Sequence, residues 1–437
     1  MKIAIIGLGF VGLSFATVLA SKSYHVFGID SDKNKIHKIK SGNPTFYEPK
    51  LQQMLSKALQ KHFSVSSDVL SIIRQCDLIF ITVGTPKSKN GYIDLYMLKN
   101  AIKQLGKALS QTNNSPVIII KSTIVPGTTQ NIVQPILEKN SGKSLGNGFE
   151  LITNPEFLRE GNAINDTLKP HVIIIGGENK TAIHKVKEFY KKLYDSSIPT
   201  FITNHQTAEM IKYTNNSFLA TKISFINQIA NICQSIPGIN VDEVAKAIGL
   251  DPRIGPLFLN AGPGYGGSCL PKDLQTMITF SSKIGHKPLL LTAVQQTNAL
   301  QITNITNLIY KLLGTLKQKN ITILGLSFKE NSDDIRESVS IKLIKLLLTK
   351  GSSITVYDPK AIDNTRKVFN NKINYATTIN DSLKNSHCAI IMTAWKQFRK
   401  LNTGNFKNMK RKLIIDTRRI LENKNTNVEY YALGIGQ

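Results

Sequence analysis

The chain has 437 residues, too many for one ordinary hydrophobic core, and this length predicts about three units of roughly 100–200 residues. Its hydrophobic content of 41% is typical of a globular protein. Its four cysteines (Cys76, Cys233, Cys269 and Cys388) lie far apart without a CxxC pair, which argues against a structural zinc site and a disulfide framework. We therefore expect a cytoplasmic protein without a metal site.

The formal charge of +26 favours phosphate-bearing partners, which are nucleotides or nucleic acid. The basic residues are spread along the chain, however, and the densest short run, KNMKRK at 407–412, is modest. We therefore do not expect the chain to bind nucleic acid. Nor do we expect a membrane partner, because no segment reaches the roughly 18 uninterrupted apolar residues of a membrane span.

The first 30 residues are typical of a βαβ unit that binds a dinucleotide. They predict a strand over Ile3–Ile6, a helix from about residue 10 to 21 and a strand over His25–Ile29. The apolar start imitates a secretory signal, but three glycines at fixed spacing in GLGFVG favour a tight turn with room for a pyrophosphate. The turn residues that we expect to contact the cofactor are Gly7, Gly9, Phe10, Val11 and Gly12.

Two charged residues after the second strand bear on the choice of cofactor. Asp30 ends that strand, where a carboxylate accepts hydrogen bonds from ribose hydroxyls and repels a 2′-phosphate, so we expect NAD⁺ rather than NADP⁺. Lys35, five residues further on, is predicted to reach the adenosine phosphate or ribose. The alternative for Lys35 is a solvated helix lysine.

Two apolar runs further along predict buried parallel strands. CDLIFITVGTP (76–86) and PVIIIKSTIVPGT (116–128) both end in loops of Gly, Thr and Pro, as such strands do when their carboxyl ends meet a ligand. Thr85 and Thr123 are therefore predicted to face the same crevice. The alternative is that both are ordinary turn residues.

A long helical pattern over about 204–235 predicts a central helix that joins the two halves of the chain. On it Glu209, Lys212 and Asn216 are spaced i, i+3 and i+7, and therefore share one face. These polar side chains form either a functional face or simply the solvated side of the helix.

The stretch GPGYGGSCLPKD (262–273) places Cys269 among glycines and just before a proline that suits the first turn of a helix. A helix N-terminus favours an anion, so we expect the pKa of this thiol to fall toward neutrality, which would make it a nucleophile. The alternative is an inert, buried cysteine.

The C-terminal part repeats the plan of the first. NITILGLSFKE onward gives a strand, Gly325, a helix, a strand and a terminal Asp358, and two later strands follow at 387–395 and 412–420. We expect an α/β protein with two Rossmann-like doubly wound parallel-sheet domains joined by a long central helix. The predicted division is an NAD-binding domain over 1–203, a central helical region over 204–300, and a second Rossmann-like domain over 301–437 that holds a different phosphate compound.

The sequence resembles the UDP-glucose/GDP-mannose dehydrogenase family over nearly its whole length. The resemblance lies in GLGFVGL, VGTP, KSTIVPGT, NPEFLREGNAI, AEMIKYTNNSFLATKISFINQ, GYGGSCLPKD and LGLSFKENSDDIRES, which occur in the family's order. It implies NAD-dependent four-electron oxidation of UDP-glucose to UDP-glucuronate through a cysteine thiohemiacetal and thioester. A covalent aldehyde adduct cannot diffuse away before the second hydride transfer.

The resemblance implies that residues 204–300 form a dimerisation and catalytic-loop region and that residues 301–437 form a UDP-sugar-binding domain. It also implies the roles of the catalytic residues. Cys269 would be the nucleophile, Lys212 and Asn216 would stabilise the oxyanion at C6, and Glu156 would be the general base. Asp273 and Thr123 would hold the water. The cofactor contacts implied beyond the glycine turn, Asp30 and Lys35 are Thr85, Thr123, Glu160 and Arg336.

The substrate contacts that the resemblance implies are Glu156, Phe157, Leu158, Lys212, Asn216, Tyr265, Gly266, Phe328, Lys329 and Arg418. Arg253 matches an arginine that the family supplies from the neighbouring subunit, so the resemblance implies a homodimer. Asn260 departs from the pattern, since some members have a lysine there that contacts a phosphate.

Three alternatives remain at this point. GDP-mannose is the nearest rival substrate, although the glycine in REG favours the UDP-glucose branch. A UDP-N-acetylhexosamine 6-dehydrogenase fits less well, because NPEF and GGSC stand where that branch has CPER and GGHC. From another class, the chain could be a non-catalytic nucleotide- or nucleic-acid-binding protein on this scaffold, but it keeps every catalytic residue named above.

Overall fold

The computed structural model describes residues 1–88, 90–194, 198–421 and 427–436. The chain forms two compact units, Met1–Asn215 and Asn216–Gln437. Each unit contains one sheet with helices packed against it, so the predicted α/β class with two parallel-sheet domains is confirmed. The finer division into three regions stays a prediction.

The first unit contains a nine-stranded sheet whose order is β3-β2-β1-β4-β5-β7-β8-β9, with β6 beside β7. The strands are β1 (Lys2–Ile6), β2 (His25–Ile29), β3 (Phe63–Ser66), β4 (Leu78–Ile81), β5 (Val117–Ile120), β6 (Ser144–Leu145), β7 (Gly148–Thr153), β8 (Ile173–Gly176) and β9 (Thr200–Thr203). The neighbours are parallel except β7 and β8, which are antiparallel and share the single pair Thr153–Gly176.

Helices cover both faces of this sheet. They are α1 (Phe10–Ser21), α2 (Lys33–Lys40), α3 (Leu51–Leu59), α4 (Val69–Ile73), α5 (Tyr96–Leu109), α6 (Gln134–Ser141), α7 (Ala163–Leu168) and α8 (Lys180–Tyr194), and a π-helical turn over Thr129–Val133 precedes α6. Alternate residues of β1 enter different cores, since Ile3 and Ile5 belong to one apolar cluster and Ala4 and Ile6 to another. The central strands β4 and β5 are apolar throughout, as buried parallel strands are.

The predicted central helix is confirmed as α9 (His205–Cys233), which has 29 residues and begins in the first unit and ends in the second. Glu209, Lys212 and Asn216 are only 2%, 4% and 5% exposed. The alternative of a solvated polar face is therefore wrong. Within the described ranges, no helix is long and apolar enough to cross a membrane.

The second unit contains a six-stranded parallel sheet in the order β12-β11-β10-β13-β14-β15. Its strands are β10 (Asn320–Leu324), β11 (Ser353–Tyr357), β12 (Asn374–Tyr375), β13 (Cys388–Ile391), β14 (Leu413–Asp416) and β15 (Glu429–Ala432). Its helices are α10 (Val241–Gly249), α11 (Leu270–Lys283), α12 (Leu289–Leu313), α13 (Val339–Thr349), α14 (Ile362–Phe369), α15 (Ile379–Leu383), α16 (Lys396–Arg399) and α17 (Thr403–Phe406), with a 3₁₀ turn over Asn370–Lys372.

The predicted repeat between the two sheets extends to single hydrogen bonds. Gly7 (φ +100°) and Gly325 (φ +98°) follow the first strand of each sheet in the left-handed region that favours glycine. Asp30 and Asp358 end the second strands, and each accepts a hydrogen bond from the amide next to its glycine, at 2.8 and 2.7 Å. The same strand–turn–carboxylate arrangement therefore occurs twice in one chain.

Candidate active site

The glycine turn of the first unit fits the pyrophosphate of a dinucleotide. A Cβ on Gly12 would lie 1.9 Å from the carbonyl oxygen of Gly7, so only glycine allows this close packing. A Cβ on Gly9 would meet nothing within 4 Å, which leaves open space at the N-terminus of α1. Phe10 and Val11 form the first turn of that helix and are partly exposed. Backbone N–H groups at such a terminus bind phosphate oxygens.

Asp30 lies beside this turn, is 8% exposed and accepts several hydrogen bonds. Its Oδ2 accepts from the Leu8 amide at 2.8 Å and from Lys35 Nζ at 2.7 Å, and its Oδ1 accepts from the Asp32 amide at 3.0 Å. Lys35 is therefore ion-paired with Asp30 rather than solvated. Its predicted contact with the cofactor remains a prediction.

The two loops that follow β4 and β5 meet as expected. The hydroxyl of Thr85 donates a hydrogen bond of 2.7 Å to the carbonyl oxygen of Thr123. Thr85 is 7% exposed, so its polar side chain lies inside the unit rather than on a solvated turn. The two threonines are therefore neighbours, and their predicted position in a ligand crevice stays a prediction.

Glu156 and Lys212 form a buried ion pair in the first unit. Lys212 Nζ lies 3.1 Å from Glu156 Oε1 and 2.6 Å from the Glu156 carbonyl oxygen, and the side chains are 5% and 7% exposed. The other carboxylate oxygen accepts from the Leu158 amide at 2.5 Å. Lys212 Nζ also lies 5.3 Å from the ring centroid of Phe157. The amine of Lys212 and the carboxylate of Glu156 are therefore held together at a position that is largely shielded from solvent.

The loop after β7 presents Glu156, Phe157, Leu158 and Glu160 in sequence, and all but Glu156 are partly exposed. Arg159 holds this loop through a bidentate contact with Asp166, with nitrogen–oxygen distances of 3.0 and 2.6 Å. The loop therefore has a fixed shape while two of its apolar side chains remain accessible.

Glu209, one turn before Lys212 on α9, is a buried carboxylate whose role the sequence did not define. Its oxygens accept from the amides of Gly127 and Thr129, at 2.6 and 2.9 Å, and from the Thr129 hydroxyl at 2.6 Å. Burial raises its pKa. Glu209 thereby fixes the loop that carries Thr123 to the helix that carries Lys212.

Cys269 lies in the second unit, where the sequence placed it, at the N-cap of α11. Pro271 is in the first turn, and the side chain of Cys269 is partly exposed, whereas Cys76, Cys233 and Cys388 are buried. Burial raises the pKa of the Cys76 thiol to about 12, so that thiol is inert at neutral pH. In the part of the chain that is described, no three His, Cys, Asp or Glu side chains form a possible metal site.

Asn216 and Asp273 meet beside this helix start. Asn216 Nδ2 donates to Asp273 Oδ2 at 2.6 Å, and Lys272 Nζ lies 2.5 Å from Asp273 Oδ1. Asp273 is 1% exposed. The sequence predicted both residues at the site, and the structure brings them into contact within the second unit.

The glycine loop before Cys269 packs closely on the loop after β10. A Cβ on Gly266 would lie 2.3 Å from the Glu337 carbonyl oxygen, and one on Gly267 would lie 2.6 Å from the ring of Phe328. The Gly267 amide donates to the Arg336 carbonyl oxygen at 3.0 Å. The predicted substrate residues Gly266 and Phe328 are therefore neighbours, with Lys329 next in the chain.

Of two further predicted UDP contacts, Tyr265 is buried and Arg418 is partly exposed. Burial raises the pKa of Tyr265 to about 12. Burial, with repulsion from Arg419, lowers the pKa of Arg418 to about 10, so its guanidinium remains charged at neutral pH. Arg418 Nε donates to the Met392 carbonyl oxygen at 3.0 Å. Arg336 is exposed and pairs with Asp334 at 2.7 Å.

Arg253 lies on the surface of the second unit, with a side chain 88% exposed and 2.6 Å from Asp251. The apolar side chains around it in the chain are exposed as well, since Leu250, Ile254 and Leu257 are 79%, 44% and 73% accessible. An arginine among exposed apolar residues is typical of an interface. Its predicted role across a subunit boundary remains a prediction.

Three domains of the UDP-glucose/GDP-mannose dehydrogenase family match the chain in order: the NAD binding domain over residues 1–194, the central domain over 206–300 and the UDP binding domain over 322–423. These matches cover most of the chain. The chain belongs to this family. The predicted resemblance and NAD as the cofactor of the dehydrogenase are thereby confirmed.

Relatives similar over the whole length of the dehydrogenase include the UDP-glucose 6-dehydrogenases of Haloferax volcanii and Rickettsia prowazekii. The first is 37% identical, with 99% of this chain and 100% of the relative covered, and the second is 38% identical, with 99% of each covered. Among solved structures, a UDP-glucose dehydrogenase from Pyrobaculum islandicum is similar with a TM-score of 0.91 and 31% identity, covering 99% of this chain and 98% of that one.

Proposed function

We propose that this dehydrogenase oxidises UDP-glucose to UDP-glucuronate. The overall reaction consumes two NAD⁺ and one water and yields two NADH and three protons. The observation that carries the proposal is full-length similarity to UDP-glucose 6-dehydrogenases, at 37–38% identity, in a chain that keeps the thiol, amine, amide and carboxylates of the predicted chemistry. NAD⁺ supplies the hydride acceptor for both steps.

The first part of the proposed mechanism makes an aldehyde and captures it. The C6 alcohol loses a proton and a hydride, and the Cys269 sulfur then adds to C6 to form a thiohemiacetal. Lys212 and Asn216, one turn apart on α9, donate N–H groups to the oxygen on C6. An N-cap position favours the thiolate that this addition needs.

The second part of the mechanism converts the adduct into the acid. Loss of a second hydride and of the hydroxyl proton from the thiohemiacetal gives a thioester. Water, held by Asp273 and Thr123, attacks the thioester carbon while Glu156 accepts a proton. The C–S bond breaks, and the sulfur of Cys269 leaves as the thiolate.

Binding of the two ligands follows the family division. We propose that the glycine turn, Asp30, Lys35, Thr85, Thr123, Glu160 and Arg336 hold NAD⁺, and that Phe157, Leu158, Tyr265, Gly266, Phe328, Lys329 and Arg418 hold the UDP-sugar. The charged guanidinium of Arg418 suits a diphosphate or uracil oxygen.

We also propose a homodimer in which Arg253 reaches the partner's substrate. Phe218, Phe225 and Ile232 are 63%, 50% and 53% exposed and recur every seven residues on α9, which forms an apolar stripe suited to a helix partner. Arg253→Ala should weaken UDP-glucose binding and spare NAD⁺ binding. Mixing it with Cys269→Ala should restore some activity, and no recovery after verified subunit exchange would refute the shared site.

The substrate proposal is tested by following NADH formation with UDP-glucose, GDP-mannose and UDP-N-acetylmannosamine as alternative substrates. We expect the highest kcat/KM with UDP-glucose and two NADH per molecule of substrate. A higher kcat/KM with either rival would assign the dehydrogenase to that substrate, and no NADH with any of them would refute catalysis.

A further inference from the structure

Lys121, at the carboxyl end of β5, is a buried lysine outside the predicted site. It is 8% exposed, and its Nζ donates to the neutral amide oxygen of Asn154 at 2.8 Å. The ammonium group lies 5.1 Å from the ring centroid of Phe15 and 5.9 Å from that of Tyr190. Burying an ammonium group is costly, so a lysine in this position calls for a role that an apolar residue would not fill.

Asn154 links Lys121 to the rest of the sheet. Its Oδ1 accepts from Lys121 and from the hydroxyl of Tyr190, and its Nδ2 donates to the Ile174 carbonyl oxygen at 2.7 Å. Its backbone amide donates to the Ile120 carbonyl oxygen at 2.8 Å. Four hydrogen bonds therefore fix one residue at the end of β7.

Glu156 follows Asn154 after a single proline. Because the ring of Pro155 fixes one of the few torsions between them, the orientation of Asn154 sets where the Glu156 backbone begins. Burial lowers the pKa of Lys121 to about 8, and the negative charge of Glu156 acts to raise it. The charges of Lys121 and Glu156 therefore interact. Lys212 contacts Glu156 directly, whereas Lys121 contacts Asn154, which lies two residues before Glu156 in the chain.

A cavity of about 130 Å³ lies along the same loop and is lined in part by Lys121, Asn154, Glu156 and Tyr190. Side chains beside a cavity are not confined by close packing. The polar contacts of Asn154 therefore have to supply the restraint that packing supplies elsewhere.

We propose that Lys121 and Tyr190 are positioning residues that act through Asn154 to hold Glu156 in place for hydrolysis of the Cys269 thioester. This inference rests on the proposed function, in which Glu156 accepts the proton of the attacking water. It predicts a defect in the last chemical step and not in the binding of either ligand.

Lys121→Met removes the amine but keeps most of the side-chain volume, and Tyr190→Phe removes the hydroxyl alone. We expect kcat for UDP-glucose to fall about 10- to 100-fold in Lys121→Met, with KM little changed, because small misplacements of a catalytic group have effects of this size. Tyr190→Phe should show a smaller fall. In both variants a Cys269 adduct should accumulate and be detected by intact-protein mass spectrometry, as in Glu156→Gln.

A double-variant test separates positioning from general loss of structure. Since Glu156→Gln already lacks the base, adding Lys121→Met to it should cause no further fall in kcat. Lys143→Met and Tyr24→Phe are matched controls in the same unit, since Lys143 Nζ donates to the Thr112 carbonyl oxygen at 2.6 Å and Tyr24 packs on Phe189. Neither control should accumulate the adduct.

Wild-type kcat in Lys121→Met, or a full multiplicative loss when it is combined with Glu156→Gln, would overturn the inference. If Lys121→Met does not fold, the test rests on Tyr190→Phe. A wild-type kcat without an adduct in Tyr190→Phe would then overturn the inference. These results would leave the proposed function intact. A wild-type protein without activity, and a Glu156→Gln variant without an adduct, would overturn the proposed function and this inference with it.

Discussion

Replacing Lys212 by methionine would leave the carboxylate of Glu156 buried without its ion-pair partner. Both side chains are less than a tenth exposed, and Lys212 Nζ donates both to that carboxylate and to the carbonyl oxygen of the same residue. Breaking a buried pair on one side costs about 3–5 kcal/mol, because the remaining charge stays desolvated. For a unit of this size, that loss lowers Tm by roughly 6–20 °C.

Differential scanning calorimetry of three variants checks the magnitude. Lys222→Met is the matched control on the same helix, because Lys222 Nζ donates to the Ile254 carbonyl oxygen at 3.0 Å at an exposed position, and its Tm should stay close to the wild-type value. Adding Glu156→Gln to Lys212→Met removes the unpaired charge, so the double variant should regain much of the lost Tm.

Activity should respond differently from stability in these variants. Lys212→Met and the double variant should both lack turnover of UDP-glucose, since each lacks the proposed oxyanion donor. The reasoning is refuted if Lys212→Met melts with the wild-type protein, or if the double variant is no more stable than the single one. Either result would mean that the pair is not desolvated in the way the structure indicates.

Three further outcomes are expected. NAD⁺ should give a higher kcat/KM than NADP⁺, and Asp30→Ala should reduce the difference; equal values in the wild-type protein would remove Asp30 from this role. Cys269→Ser should bind UDP-glucose and NAD⁺ but lose the net four-electron oxidation, because an alkoxide forms less readily and an ester hydrolyses more slowly; UDP-glucuronate at the wild-type rate would mean that the thiol only packs. Iodoacetamide at neutral pH should label Cys269 before Cys76 and Cys388, whose thiol pKa values burial raises, as peptide mass spectrometry would show.

Local signals predicted much of this molecule. The strand, glycine turn and helix around Gly7 follow from residues adjacent in the chain, and so does the placement of Cys269 at a helix start. The length of α9 follows from its periodicity. Each of these features depends on short stretches whose geometry few residues determine.

Other features depend on partners far apart in the chain, and the sequence could not give them. The pattern on α9 did not distinguish a solvated face from a buried one, because the N–H groups that donate to the carboxylate of Glu209 lie about 80 positions earlier in the chain. Lys121 is the first residue of the motif KSTIVPGT. The sequence signal for a special role was a lysine directly after a wholly apolar strand. The link of Lys121 to Asn154 and Tyr190 depends on the fold, because it joins three segments that are far apart in the chain.

The change of strand direction between β7 and β8 separates strands β8 and β9 from the rest of the first sheet. Strands β8 and β9 pair with each other over four residues, but β8 joins the rest of the sheet through one residue pair and the side chain of Asn154. The opening that allows hydrogen exchange at the backbone amides of β8 and β9 should therefore cost less free energy than the opening that allows it in β1, β4 and β5. The loop that carries Glu156 connects β7 to β8. A local opening between these two strands would therefore displace the loop while β1, β4 and β5, beside the glycine turn, stay paired.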